Sequence, residues 1–225
     1  MTLNKESYSS KLKSIQSQLT PNAHLLIVSK RRSEDEIRAY YQLGHRDFGE
    51  NRVQELLEKA EHLKASCPEI RWHMIGNLQS NKINQLFSTP HLWAIHSVDN
   101  KDLLEKLLKA ESKLNSPLNI FLQFNTSKEE EKSGFEDYSA LKDAVGIIPI
   151  QSQIKLCGLM TMGTLRTENF EAEARRCFQE LNQLKERLTI DSGRPLQTSM
   201  GMSQDYQIAL QENSHWIRLG SLLFN

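Results

Sequence analysis

The sequence predicts an α/β fold: a single (β/α)8 TIM barrel over residues 1–225, with one extra helix at its N-terminus. Three observations predict it. Eight short apolar runs alternate with segments of helical period along the chain. The first run, Leu25-Leu26-Ile27-Val28, is apolar without a break and half β-branched, which suits a strand covered on both faces of a parallel sheet. No glycine-rich dinucleotide fingerprint follows it. That counts against an open, doubly wound nucleotide-binding sheet and leaves closure as the simpler arrangement.

The elements follow in order. Tyr8, Leu12, Ile15 and Leu19 recur at helical spacing, so residues 5–19 form the extra amphipathic helix. Pro21 and Asn22 make a loop before the first strand, which ends on Lys30. Ser33 and Glu36 have the spacing of a capping box, and Ile37, Tyr40, Tyr41 and Leu43 carry the helix to its end at Gly44. Asp47 and Phe48 lie in a second strand, and residues 53–63 form the next helix. The third strand covers 71–75 and its helix 79–87. The fourth strand covers 92–96, followed by a leucine-rich helix capped by Asp99 or Asn100. Strands at 118–124 and 155–160 precede helices at 135–145 and 170–188. A strand at 196–199 is followed by a helix that Ser203 caps, and 216–219 is the eighth strand, with no helix after it. Such βα alternation demands a parallel sheet.

Composition bounds the function. Lys plus Arg and Asp plus Glu balance at 28 each, so no nucleic-acid partner is indicated. No apolar run is long enough for a membrane span, and residues 1–7 lack the apolar core of a signal peptide. Cys67, Cys157 and Cys177 are scattered and odd in number, without zinc spacing. The expectation is a cytoplasmic protein with free thiols and no metal. The run Glu129-Glu130-Glu131-Lys132 reads as a solvated loop.

In a barrel, the loops after the strands share one face. That rule gathers Lys30, then Glu50 and Asn51. It adds His73 with Asn77, Gln79, Asn81 and Lys82, then residues 199–203, and lastly Arg218, Gly220 and Ser221. A lysine at the end of a buried strand is half desolvated, which lowers its pKa and frees its lone pair to form a Schiff base. Gly201 and Gly220 let backbone N–H groups approach an anion, and a helix starting near Ser203 aims its positive end there. A strand-one lysine with a phosphate cradle at strands seven and eight describes a site for pyridoxal 5′-phosphate. His73 points away from Trp72 and Met74 and reads as a core histidine with a satisfied hydrogen bond. Gln79, Asn81 and Lys82 leave a surface for a partner or an anion open.

Several strings carry a family resemblance: Val28-Ser29-Lys30, FGEN at 48–51, WHMIGNLQSNK at 72–82, KSG at 132–134, GLM at 158–160, SMGMS at 199–203 and IRLGS at 217–221. With them the chain resembles the pyridoxal-phosphate-binding homeostasis proteins, a single-barrel family like the N-terminal domain of alanine racemase. The matches run in order from Lys30 almost to the C-terminus. The resemblance implies that Lys30 is the Schiff-base lysine and that Asn51 lies near the cofactor ring. It implies that Ser199, Gly220 and Ser221 contact the phosphate, with Met202 in the same binding set, and that Arg218 faces the pyridine nitrogen. Ser221 stands where threonine is usual, which keeps the hydroxyl. Asn225 closes the chain where a glycine and a short tail are usual.

The resemblance further implies a monomeric carrier that binds pyridoxal phosphate and passes it to apo-enzymes, rather than an enzyme. The alternative is a pyridoxal-phosphate-dependent amino-acid racemase, and behind it a barrel enzyme using Lys30 on an aldol-type substrate. Racemisation needs two bases on opposite faces of the substrate carbon. In alanine-racemase-like proteins a further β domain supplies the second, and one barrel uses up this chain. An arginine at 218 also cannot keep the ring nitrogen protonated, which weakens the electron sink; the resemblance puts an arginine there in alanine racemase too, so it counts only together with the missing second base.

Overall fold

The computed structural model describes residues 5–129, 131–164 and 167–224. Glu130 of the charge run and the closing Asn225 lie outside the described residues. The elements are α1 (Lys5–Gln16), β1 (His24–Val28), α2 (Glu34–Gln42), β2 (Asp47–Glu50), α3 (Val53–Leu63), β3 (Arg71–Met74), α4 (Ile83–Phe87), β4 (Leu92–Val98), α5 (Lys101–Ala110), β5 (Leu118–Gln123), α6 (Tyr138–Gly146), β6 (Ile154–Met160), α7 (Phe170–Ser192), β7 (Gln197–Ser199), α8 (Tyr206–Gln211), β8 (Trp216–Leu219) and α9 (Ser221–Phe224). The strands run parallel and close in sequence order, with β1 between β2 and β8, so the predicted (β/α)8 barrel and its leading helix are present.

Local chemistry sets the element ends. Ser33 and Glu36 form the expected capping box, with the Ser33 hydroxyl accepting from the Glu36 N–H and the Glu36 carboxylate from the Ser33 N–H. Asn100, not Asp99, caps α5 by accepting from the Leu103 N–H at 2.8 Å. Four expectations need correction. Phe135 does not start a helix. It extends the sheet through a parallel bridge to Phe124, and Asp137 caps α6 by accepting from Ala140. Ser203 does not cap α8; Asp205 stands at that end, and its carboxylate turns back to the Met202 N–H. The helix expected over 79–87 divides into a 3-10 turn, Ser80–Lys82, and the short α4. The eighth strand is followed by a helix after all, the one-turn α9.

Alternation along each strand sorts the side chains into two cores. The outer core packs strands against helices and includes Leu25, Ile27, Phe48, Trp72, Met74, Ile95, Ile120, Leu122, Ile217 and Leu219. The inner core fills the barrel with Leu26, Ala94, Phe121, Met160 and Trp216. The interior is not all apolar. Asp47, His73, His96, Ser199 and Arg218 also point inward and are buried, and they form a polar column beside those residues. No described helix is long and apolar enough to cross a membrane.

Candidate functional site

Lys30 leaves the end of β1 on a backbone that its neighbours hold. The Ser29 carbonyl accepts from Lys59 Nζ at 2.9 Å, and the Ser29 hydroxyl donates to Glu50 Oε1 at 2.7 Å. Lys59 also pairs with Glu50 at 2.7 Å, so three buried or nearly buried groups pin the last turn before Lys30. Burial raises the Glu50 pKa, and the Lys59 charge and its hydrogen bond pull it back down. Lys30 itself is exposed. The half-desolvated amine expected from its position is therefore not found: the strand end opens directly onto the mouth of the barrel. Lys30, Arg31, Asn51, Arg52 and Glu55 line a cleft of about 240 Å³ there. Asn51 also borders a second groove of about 380 Å³ with Asn77, Gln79 and Lys82. Asn81 lies in neither, and lines a separate groove with Ser80 and Lys106.

The loops after β7 and β8 are built for close approach. Gly201 has φ +94, and a Cβ there would lie 2.5 Å from the Ala209 Cβ, so no other residue fits that turn. A Cβ on Gly220 would lie 3.2 Å from the Val28 carbonyl oxygen. The backbone at 220 thus stands against β1 two residues before Lys30. Gly220 and Met202 are half-buried, while Ser221 is exposed at the mouth. Lys30, Gly220 and Ser221 all follow strand ends on one face of the barrel, an arrangement that would suit an aldehyde carrying a phosphate.

Beneath the mouth lie Ser199 and Arg218, both buried. Arg218 donates to the Ser199 hydroxyl at 2.7 Å and to the Thr161 carbonyl at 2.9 Å. Burial lowers its pKa to about 10, with Asp205 acting the other way, so it stays cationic at neutral pH. The buried Asp47 carboxylate pairs with His73: Asp47 Oδ1 lies 3.0 Å from His73 Nε2, and Arg71 holds Oδ2. Burial would raise the Asp47 pKa, but its bonds to His73 and Arg71 outweigh that and hold it low. Nδ1 of His73 meets His96 Nε2 at 3.0 Å, and Nδ1 of His96 meets the Ser199 hydroxyl at 2.8 Å. His73 is thus the satisfied core histidine its alternation suggests, with a carboxylate on one side and a second histidine on the other.

Asp47, His96 and Thr161 were missed by the sequence reading. The available signal was strand alternation, because Asp47 and His96 interrupt apolar strands with polar side chains that turn inward.

Residues 3–225 match the alanine racemase N-terminal domain family. The chain is 37% identical over 214 residues to the pyridoxal phosphate homeostasis protein of Caenorhabditis elegans, covering 92% of this chain and 87% of that one. The chain belongs to the pyridoxal phosphate homeostasis protein family. The Homo sapiens member is 37% identical over 207 residues, covering 89% of this chain and 75% of its own. A solved structure of PipY from Synechococcus elongatus with pyridoxal phosphate bound superposes with a TM-score of 0.85 at 33% identity, covering 97% of this chain and all of PipY. Alanine racemase from E. faecalis shares the fold at a TM-score of 0.73 and 16% identity, with 98% of this chain covering 58% of the racemase. The fold and family expected from the sequence are thereby both established.

Proposed function

We propose that this protein binds pyridoxal 5′-phosphate at the barrel mouth, with Lys30 as the Schiff-base lysine, and passes it on to apo-enzymes. One observation carries the reading: Gly220 packs against the Val28 carbonyl, which sets the β8 loop beside the strand that presents Lys30. The amine then meets the aldehyde, while Gly220, Ser221, Met202 and Ser199 lie on the phosphate side and Asn51 beside the ring. Arg218 faces the pyridine nitrogen and can only donate to it. When bound, the cofactor supplies an electron sink, and a nitrogen that accepts from a guanidinium is a weak one. That weakens carbanion chemistry without forbidding it, since by the same resemblance alanine racemase carries an arginine at this place too. Exposure of Lys30 suits a carrier, since a recipient can reach the mouth. The PipY complex with pyridoxal phosphate and the shared family support the ligand.

The test is the absorption spectrum of the purified protein before and after borohydride, for wild type and Lys30→Ala. Expected is a yellow wild type that borohydride bleaches, fixing the cofactor to the peptide containing Lys30, and a colourless variant. An unchanged spectrum in Lys30→Ala would overturn the assignment. Deuterium exchange at the α-carbon of alanine at enzyme-like rates, dependent on Lys30, would promote the racemase.

A further inference from the structure

The polar column inside the barrel has a direction. Asp47 is an ionised carboxylate that accepts from both Arg71 and His73, so the His73 proton sits on Nε2. His73 and His96 are completely buried. His96 has another imidazole and the Arg218 guanidinium for neighbours, and a second positive charge there is unfavourable. With His73 neutral its Nδ1 is bare, so His96 must donate to it from Nε2. Nδ1 of His96 is then bare as well and accepts the Ser199 O–H, while Ser199 Oγ accepts from Arg218. Every hydrogen bond from the mouth to Asp47 therefore points the same way, over links of 3.0, 3.0 and 2.8 Å. Rings enclose the column. Trp93 and Trp216 lie 4.8 and 5.3 Å from His73, and Phe121 stacks on His96 at 4.3 Å.

This direction conflicts with binding a phosphate. Ser199 has one proton and gives it to His96, so an acceptor-only phosphate dianion above it would meet a lone pair. We propose that Ser199, His96, His73 and Asp47 form a proton wire that turns Ser199 into a phosphate donor by carrying one proton from the mouth to His73. The inference rests on the reading that Ser199 faces the phosphate. The balance is simple. A proton from the phosphate monoanion, or one taken up from the bulk solvent or its buffer, goes to Ser199 Oγ, and the former Ser199 proton goes to His96 Nδ1. The His96 Nε2 proton goes to His73 Nδ1. Ser199 then donates to the dianion and accepts from His96 and Arg218, and His73 becomes an imidazolium paired with Asp47. His96 and His73 are positioning residues that act through Ser199.

The charges around His73 fit this role. Asp47 faces it from β2, Arg71 from its own strand and His96 from β4, with His45 and Arg218 one step further out. Asp47 is the carboxylate among these groups, and it makes His73 the place where the extra proton can rest. Burial is the chief cause that lowers the pKa of both histidines, which agrees with a wire that carries no extra proton at rest.

The test is side-chain nitrogen NMR of the histidines in the full chain, free and with pyridoxal phosphate or pyridoxal. Expected in the free protein is His96 protonated at Nε2. Pyridoxal phosphate should move that proton to Nδ1 and render His73 cationic, and pyridoxal should do neither. A phosphate monoester is mostly dianionic above about pH 6. There the complex takes up one proton, so the affinity should fall about tenfold per pH unit more steeply for pyridoxal phosphate than for pyridoxal. Asp47→Asn should remove that excess slope, and if this variant does not fold the wild-type spectra still decide. Pyridoxal phosphate that binds, by its absorbance, without changing either histidine would overturn the wire alone. Failure to bind at all would overturn the functional reading with it.

Discussion

The mouth and the interior of this barrel hold the same kinds of residue under opposite rules. Lys30, Asn51 and Ser221 stand exposed at the strand ends, with side chains free to meet a ligand. Ser199, Arg218, His96, His73 and Asp47 are buried a few ångströms below, and each is tied to the next by a hydrogen bond. Exposed polar groups keep their water until a ligand replaces it. Buried ones have already lost theirs, so each missing partner costs the fold directly. Changes in the interior should therefore appear first as lost stability, and changes at the mouth as lost binding.

The largest expected effect lies just ahead of β2, at the start of the strand that carries Asp47. His45 is buried, with its ring bonded to the Asp47 carbonyl at 2.8 Å, and burial lowers its pKa from 6.5 to about 4. Below pH 6.5 the unfolded chain takes up a proton that the folded chain refuses. Stability from this group is complete above that pH and drains away as pH falls toward 4, by about 3 kcal/mol in all. Urea unfolding at pH 7, 6, 5 and 4 should show this decline, and His45→Gln should flatten it by about one proton. An equally steep decline in the variant would place the acid sensitivity elsewhere.

Next comes Ser199→Ala, which leaves an Arg218 N–H and His96 Nδ1 without their partner inside the barrel. The expected loss is about 2 kcal/mol of unfolding free energy without any ligand present. The measurement is the urea midpoint of the cofactor-free protein. A wild-type midpoint would mean that the polar column carries no stability and that the contrast between interior and mouth fails.

What was legible in the sequence follows the same division. The eight strands, the Ser33 capping box and Lys30 at a strand end are local patterns, each decided within about ten residues of chain. The polar column is not local. His96 and Ser199 are 103 residues apart, and Asp47 and His73 are 26 apart. Their meeting depends on barrel closure and strand register, which no local window contains. Alternation could show that His73 turns inward, but not that a carboxylate from the neighbouring strand waits there. The exposure of Lys30 was misjudged for a related reason: a strand's apolar run says how its middle is covered, not how far the loops reach over its end.

The smallest effect on the fold, and the sharpest test of the comparison, is Ser221→Ala. The substitution is the same as at Ser199, and the residue lies two positions beyond the end of β8, but its side chain is in solvent. Removing the hydroxyl strands no buried partner, so unfolding free energy should stay within about 0.5 kcal/mol of wild type. If Ser221 donates to the phosphate, the lost charge-assisted bond costs about 1.5 kcal/mol, or roughly tenfold in the dissociation constant for pyridoxal phosphate. Pyridoxal, which has no phosphate, should bind the variant as it binds wild type. The two constants come from absorbance titrations, and the stability from the same urea series. Equal weakening of both ligands would remove Ser221 from the phosphate side. A large loss of stability would mean that this hydroxyl belongs to the interior after all, through the turn that starts α9.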